Sequence, residues 1–194
     1  MKTIIWDVDD VLNNLMRKWF ENYWVPLHPN CPISYYQISE NPPHGLLGIG
    51  KSEYLTSLDE FRLSEMAKEM TPIPEVLAWF HQYGDHFRHL ALTARPLSTA
   101  AGSASWVMHH FGQWIRTFHL IPSLREGEKI VIYDRSKDDF LRWWGKGDIL
   151  VDDSPLNVAA AEALGIQTVL IPRPWNRSRL TLSEALDTLT GLVQ

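Results

Sequence analysis

Short, continuous runs of apolar residues are spaced along the chain, and most of them end at a polar residue. The runs that end this way are Ile4–Trp6 before Asp7, His89–Leu92 before Thr93, Ile130–Tyr133 before Asp134 and Ile149–Val151 before Asp152. Two further runs, Ile115–Ile121 and Thr168–Ile171, each end at a proline. Because the apolar positions are continuous rather than alternating, we predict that these runs are strands of a mostly parallel sheet that is buried on both faces.

Helical patterns fall between the apolar runs. Proline or capping residues open these segments, and glycines follow several of them. The predicted helices are Glu75–Tyr83, Ser98–Phe111, Leu156–Leu164 and a C-terminal helix that follows the capping-box spacing of Thr181 and Glu184. Because strands alternate with helices, the sequence predicts an α/β fold with helices on both faces of the sheet.

One stretch, from about Val25 to Thr71, interrupts this alternation. Its first half contains no convincing strand and is rich in proline and glycine, at Pro26, Pro29, Pro32, Pro42, Pro43, Gly45, Gly48 and Gly50. Its later part, residues 54–70, is long enough for one or two helices. We therefore predict an α/β core formed by residues 1–24 and 72–194, with residues 25–71 as a mainly helical insert.

Composition and charge exclude several classes of protein. The chain has 194 residues, 45% of them hydrophobic, which suits one folded domain with an insert and argues against disorder. Its net charge of −5 argues against a nucleic-acid polymer or an anionic membrane as partner. The single cysteine, Cys31, and the absence of a signal-peptide core or an apolar membrane span predict a soluble, cytoplasmic protein.

Two acidic pairs carry the clearest chemical signal. Asp7 and Asp9 follow the first predicted strand, and alternate residues of extended backbone point to the same side. Asp152 and Asp153 follow another strand, and ligands of parallel α/β sheets bind beyond the carboxyl ends of the strands. Carboxylates placed together repel one another unless a cation lies between them, and Mg²⁺ prefers oxygen ligands. The alternative for a lone carboxylate is a helix cap, which would account for Asp10.

A phosphate site is the natural complement of these carboxylates. Thr93, followed by Ala94, offers a hydroxyl and free backbone N–H groups at the end of a strand. Thr93 taken alone fits a helix cap equally well. Lys137 is positioned to stabilise a phosphoryl group and to offset the acidic pairs, although Lys129 and Lys146 compete for that role.

Taken together, these residues resemble the motifs of the haloacid dehalogenase (HAD) superfamily. Asp7–Leu12 resembles the family's first motif, D-x-D-x-[TV]-[LV], with Asp10 where the family often has glycine. Thr93, Lys137 and Asp152–Asp153 resemble the second, third and fourth motifs, in the same order and spacing. The tracts Leu92–Pro96 and Gly147–Pro155 are similar to the 5′(3′)-deoxyribonucleotidase branch.

The resemblance implies a Rossmann-like HAD core, a C1-type cap and a defined mechanism. Asp7 would be the nucleophile that forms an aspartyl-phosphate, and Asp9 would act as general acid and then as general base. Mg²⁺ would bind Asp7, the backbone carbonyl of Asp9 and Asp153, with Asp152 in a supporting or water-mediated position. Thr93, Ala94 and Lys137 would hold the phosphoryl oxygens.

The function implied is a Mg²⁺-dependent phosphomonoester hydrolase acting on a nucleotide or on another small phosphorylated metabolite. A receiver-like signalling domain and a non-enzymatic phosphate- or metal-binding protein are the alternatives. The aromatic residues of the first helix and the insert favour packing over nucleobase stacking, at Trp19, Phe20, Tyr23, Trp24, Tyr35 and Tyr36. Trp79, Trp143 and Trp144 are predicted in the core or at an interface, and the histidines do not have zinc-site spacing.

Overall fold

A computed structural model describes the backbone of residues 1–193 and the side chains of residues 1–192. Its centre is a five-stranded sheet in which all neighbouring strands are parallel, in the order β3-β2-β1-β4-β5. The strands are β1 (Thr3–Trp6), β2 (Arg88–Arg95), β3 (Ile115–Pro122), β4 (Ile149–Asp152) and β5 (Gln167–Leu170). The first apolar run of the sequence is thus the central strand, and β1 and β4 end side by side.

The helices lie between the strands, as the alternating pattern predicts. They are α1 (Leu15–Trp19), continued by a π-helical turn (Phe20–Trp24) and α2 (Val25–Leu27), then α3 (Lys51–Leu63), α4 (Glu65–Lys68), α5 (Pro74–Tyr83), α6 (Leu97–Phe111), α7 (Lys137–Trp144), α8 (Pro155–Glu162) and α9 (Leu182–Val193). Short 3-10 turns occupy Tyr35–Gln37 and Gly84–His86. No helix in the described part of the chain has the length and apolarity that crossing a membrane requires.

Both faces of the sheet are buried, which confirms the interpretation of the continuous apolar runs. Successive side chains of a strand point to opposite faces. Accordingly, Ile4 and Trp6 pack with residues of α5, α6 and α9, whereas Ile5 packs with residues of α7 and α8. The C-terminal helix begins with the predicted capping box, because Thr181 N–H donates to Glu184 and Glu184 N–H donates to the Thr181 hydroxyl.

One predicted strand is wrong. The segment Ile130–Tyr133 forms no strand, and Val131 and Tyr133 are 71% and 89% exposed. The chain instead runs over the surface from β3 to α7, and Asp134 contacts His119 of β3. A short apolar run satisfies the strand pattern without specifying what covers it, and no described element packs over this one.

Residues 15–70 contribute a second hydrophobic cluster, separate from those of the sheet. It joins the α1–α2 helix to the insert, with Trp19, Phe20 and Trp24 buried alongside Tyr54 and Phe61. The Trp19 indole N–H also donates to the hydroxyl of Ser57 in α3, at 3.1 Å. These buried aromatic side chains stabilise the insert by packing, and the two predicted helices of its later part are α3 and α4.

The remaining tryptophans divide between core and surface. Trp79 is buried beneath the sheet, as predicted, and Trp144 packs against the cluster around Ile5. Trp143 is exposed on α7 and is not a core residue, because its neighbour Trp144 takes the helix face that meets the sheet. The single cysteine, Cys31, is partly buried against the insert cluster and forms no disulfide.

Candidate active site

The turn after β1 places the carboxylates of Asp7 and Asp10 at the carboxyl end of the sheet. Asp7 N–H donates to Val151 O of β4 at 2.9 Å, which continues the strand pairing into the turn. Asp10 adopts a left-handed conformation with φ of +61°, a region that asparagine and aspartate tolerate better than most other non-glycine residues. The Asp10 carboxylate accepts a hydrogen bond from the Met16 N–H. This hydrogen bond stabilises the turn at a position where the resembling family often has glycine.

Lys137 connects the two strands that end at the site. Its ammonium group lies 2.9 Å from Asp7 Oδ1 and 2.7 Å from Asp152 Oδ2, and the side chain is only 4% exposed. Helix α7 begins at Lys137, with the Ser136 hydroxyl as its cap, and this fixes the lysine over the carboxyl ends of β1 and β4. Lys137 lines the same cavity as Asp7 and Asp153, whereas Lys129 and Lys146 do not.

Asp152 is saturated by protein donors. Besides Lys137, its carboxylate accepts the Ser154 N–H and the Asn157 side-chain amide, and the residue is fully buried. Asp153 is less constrained, because one of its carboxylate oxygens accepts the Trp175 indole N–H at 2.7 Å. Trp175 and Asn176, whose amide donates to the Asp153 carbonyl, were not predicted.

The three carboxylates are close enough to share a cation. Oxygens of Asp7, Asp152 and Asp153 all lie within 4.8 Å of one another. Burial raises the pKa of Asp7 well above its ordinary value even though Lys137 lowers it, and burial together with Asp152 raises the pKa of Asp153 to about 7. These three buried carboxylates have one ammonium group, from Lys137, beside them. A hard divalent cation would balance the remaining negative charge. Asp7 and Asp153 would be its carboxylate ligands, since Asp152 is already engaged.

Asp9 has a different environment from Asp7. Its two carboxylate oxygens accept hydrogen bonds from Arg62 of α3, at 3.0 Å, and from Arg95 at the end of β2. Burial disfavours the charged form, but these two guanidinium groups outweigh it and lower the pKa of Asp9. The same Arg62 contacts Asp59, which also accepts two hydrogen bonds from Arg125 of the segment after β3. A chain of ion pairs thus joins the insert to the core at Asp9.

The predicted phosphate-binding residues lie in the same cavity as the aspartates. Thr93 is buried and Ala94 exposed, and β2 continues two residues beyond the predicted strand end, to Arg95. The cavity has a volume of about 450 Å³ and includes Asp7, Asp9, Thr93, Ala94, Lys137 and Asp153 in its lining. Helix α3 lines its other side with Lys51, Tyr54, Leu55, Leu58 and Arg62. None of the histidines in the described chain lines this cavity.

Several residues that shape the site had no clear signal in the sequence. Arg62 lies in the last turn of α3, in the insert, and its partner Asp9 is 53 residues away. Arg173 Nε donates to the carbonyl of Asp10 at 2.7 Å and helps to hold the turn. The sequence offers one indication of Arg173 and Trp175. They lie in the tract 172–176, which contains polar and aromatic residues and follows a strand at the carboxyl edge of the sheet.

Comparison with known proteins identifies the fold. No family model and no curated protein matches the chain in sequence. Among solved structures, a haloacid dehalogenase-like hydrolase from Streptococcus pneumoniae has a TM-score of 0.60 and 14% identity, covering 97% of this chain and 90% of that one. A HAD-superfamily hydrolase of subfamily IA from Geobacter sulfurreducens has a TM-score of 0.54 and 16% sequence identity. The match covers 97% of this chain and 96% of that one.

A third structure is a Bacillus subtilis protein assigned to the HAD hydrolases and bound to magnesium. Its TM-score is 0.59 at 10% identity, and the match covers 100% of this chain and 98% of that one. These similarities extend over nearly the whole chain, so the chain has the α/β Rossmann-like HAD fold. That fold agrees with the one implied by the motif resemblance.

Proposed function

We propose that this protein is a Mg²⁺-dependent phosphomonoester hydrolase that acts through an aspartyl-phosphate. The observation that carries the proposal is the position of Asp7. Its carboxylate contacts Lys137 at 2.9 Å and lies within 4.8 Å of Asp152 and Asp153 oxygens, in a cavity that Thr93 also lines. An attacking carboxylate needs positive charge beside it to approach a phosphate dianion. Lys137 supplies one such charge, and Mg²⁺ bound by Asp7 and Asp153 would supply the other.

The residues divide the reaction into two displacements. In the first, an Asp7 oxygen attacks phosphorus, the bond from phosphorus to the ester oxygen breaks, and Asp9 protonates the leaving oxygen. In the second, water attacks the aspartyl-phosphate, Asp9 takes the proton, and Asp7 is released with inorganic phosphate. Mg²⁺ held by Asp7, Asp153 and the Asp9 carbonyl would neutralise phosphoryl charge.

The contacts of Arg62 and Arg95 with Asp9 favour the second step over the first. Arg62 and Arg95 stabilise the carboxylate form, which is the form that accepts a proton from water. Donating a proton in the first step requires at least one arginine to move off the carboxylate. Because Arg62 belongs to α3, that movement couples Asp9 to the position of the insert.

We propose that the insert, residues 25–71, is a cap that selects the leaving group. Its helix α3 lines the cavity on the side opposite the aspartates and contributes Tyr54. Trp175 contributes a second aromatic side chain from the core. A small phosphate ester fits this space. A 5′-nucleotide or deoxyribonucleotide is the narrower hypothesis, because two aromatic rings line the cavity and the tracts 92–96 and 147–155 resemble nucleotidases.

The test is a panel of 5′- and 3′-nucleotides, sugar phosphates and short acid phosphates, assayed with Mg²⁺ and with chelator. We expect Mg²⁺-dependent release of phosphate, and a phosphoenzyme trapped at Asp7 by rapid acid quench. Preference for nucleotides would support the narrower hypothesis, and preference for another ester would replace it. No phosphate release from any ester, or a phosphoenzyme at a different residue, would overturn the proposed function.

A further inference from the structure

A second cavity lies at the junction of the insert and the core and shares Arg62 with the candidate active site. We refer to it as the junction cavity. Its volume is about 220 Å³, and its polar lining residues are Asn13, Arg62, Lys68, Arg95, Thr99 and Ser103. A water molecule occupies about 30 Å³ in the liquid, so this space holds several waters or one tetrahedral oxyanion. None of the residues that line it is acidic.

Three buried polar atoms of the junction cavity residues have no hydrogen-bond partner among the described residues. They are Arg62 Nε, Arg95 Nε and Ser103 Oγ. The two arginines use only their terminal nitrogens, towards Asp9, Asp59 and the Thr99 carbonyl. Their side chains are 9% and 6% exposed. Buried polar groups are nearly always paired with protein, water or ligand, and three unpaired ones beside one cavity indicate an absent partner.

The charges around the junction cavity specify the kind of partner. The ion-pair chain contains three guanidinium groups, from Arg62, Arg95 and Arg125, but only two carboxylates, from Asp9 and Asp59. One positive charge of this ion-pair network therefore has no carboxylate partner within the network. An Arg Nε–H can only donate a hydrogen bond, and Asn13 already uses its side-chain oxygen to accept two backbone N–H groups, which leaves its amide as a donor. A partner that only accepts hydrogen bonds and carries negative charge satisfies all of these groups.

We propose that the junction cavity is a binding site for a phosphate-like oxyanion, separate from the group that is hydrolysed. Arg62 Nε, Arg95 Nε and the Ser103 hydroxyl would donate to the anion, and Lys68 would close the rim. Small rotations of the two arginines are needed, because their Nε atoms are shielded. Since both arginines also hold Asp9, the anion and Asp9 share the same two guanidinium groups. The proposal does not depend on the hydrolase activity.

The test uses inorganic phosphate in solution and selenate in crystals, both without divalent metal. Selenate is expected between Arg62, Arg95 and Ser103, where its anomalous signal locates it. It is not expected beside Lys137, because three carboxylates surround that ammonium group when no divalent metal is bound. Ser103→Leu fills the junction cavity and should remove the selenate position. In calorimetry, the same change should weaken phosphate binding by about tenfold or more.

Matched variants separate the junction cavity from general effects. Ser105→Leu makes the same change at an exposed position of α6 and should leave the anion position intact. Lys68→Glu adds a carboxylate at the exposed rim, does not disturb the core, and should weaken phosphate binding even if Ser103→Leu fails to fold. The proposal is overturned if selenate is absent from the junction cavity, or if neither Lys68→Glu nor a folded Ser103→Leu weakens phosphate binding.

Discussion

The floor and the insert-side wall of the candidate active site have opposite charge imbalances. The floor, at the carboxyl ends of β1 and β4, has three carboxylates and one ammonium group, from Asp7, Asp152, Asp153 and Lys137. The wall, at the contact of α3 with the core, has two carboxylates and three guanidinium groups, from Asp9, Asp59, Arg62, Arg95 and Arg125. Asp7 and Asp9 are two residues apart, yet each belongs to a different one of these regions.

The imbalance decides what each region binds. On the floor, burial and neighbouring carboxylates raise the pKa of Asp7 and Asp153. A divalent cation would balance the negative charge of these carboxylates. On the wall, the arginines outweigh burial and lower the pKa of Asp9, and surplus positive charge favours an anion. Mg²⁺ would complement the floor, and the oxyanion proposed for the junction cavity would complement the wall.

The largest effect is expected at the floor. Asp7→Asn removes the proposed nucleophile and should lower kcat with p-nitrophenyl phosphate by about 10⁴-fold or more. Lys137 keeps its contact with Asp152, so the melting temperature should change little. Asp138→Asn, which alters a carboxylate paired with exposed Arg142, is the matched control and should retain parental kcat. Turnover by Asp7→Asn within tenfold of the parent would remove Asp7 from the nucleophile role.

A change in the wall should have an effect that depends on the leaving group. Asp9→Asn removes the proposed proton donor, so kcat/KM for an alkyl phosphate should fall by about 10²–10⁴-fold. An aryl phosphate such as p-nitrophenyl phosphate leaves without a proton and should lose much less. Leu55→Ala, on the α3 side of the cavity, is the comparison and should alter substrate preference without this leaving-group dependence. Equal losses on both esters for Asp9→Asn would indicate a structural or metal-positioning role instead.

Within the floor, the two neighbouring aspartates should differ in metal binding. Asp153→Asn keeps an acceptor for the Trp175 indole but removes a charged ligand. It should weaken Mg²⁺ by more than the roughly 10–100-fold that is typical when a partner of a ligand is replaced. Asp152→Asn should weaken Mg²⁺ less, because Asp152 binds Lys137 and Asn157. Calorimetric titration at pH 8, above the raised pKa of Asp153, compares the two, and the reverse order would assign Asp152 as the ligand.

The carboxylates of the floor and Asp9 were candidates from the sequence, whereas the arginines of the wall were not. Asp7, Lys137 and Asp153 follow or precede regular elements of a parallel sheet, and the carboxyl edge of such a sheet collects them without further information. The wall depends on how the insert sits against the core. Arg62 reaches Asp9 because α3 packs with the α1–α2 helix through a separate hydrophobic cluster, and no local pattern specifies that contact.

The failed strand at Ile130–Tyr133 has a related cause. Its apolar run has the composition of a buried strand, but burial depends on what lies over it, and the chain uses this segment to reach Lys137 instead. Asp10 gives the opposite lesson. Its side chain caps the Met16 N–H, so a position that usually favours glycine is stabilised by a local hydrogen bond.

The smallest effect is expected where the wall meets the surface. Arg125 makes a bidentate contact with Asp59 at 2.6 and 3.0 Å, and both side chains are less than one-fifth exposed. Arg125→Gln leaves Arg62, which also pairs with Asp9, to balance Asp59 and should lower the free energy of unfolding by about 1.5–3 kcal/mol. Arg142→Gln also breaks two ion pairs, but its side chain is 59% exposed, and the loss should be below about 1 kcal/mol. Urea unfolding of both variants measures the difference. Equal losses would mean that the wall is as well solvated as the surface, and that its charge imbalance does not favour an anion.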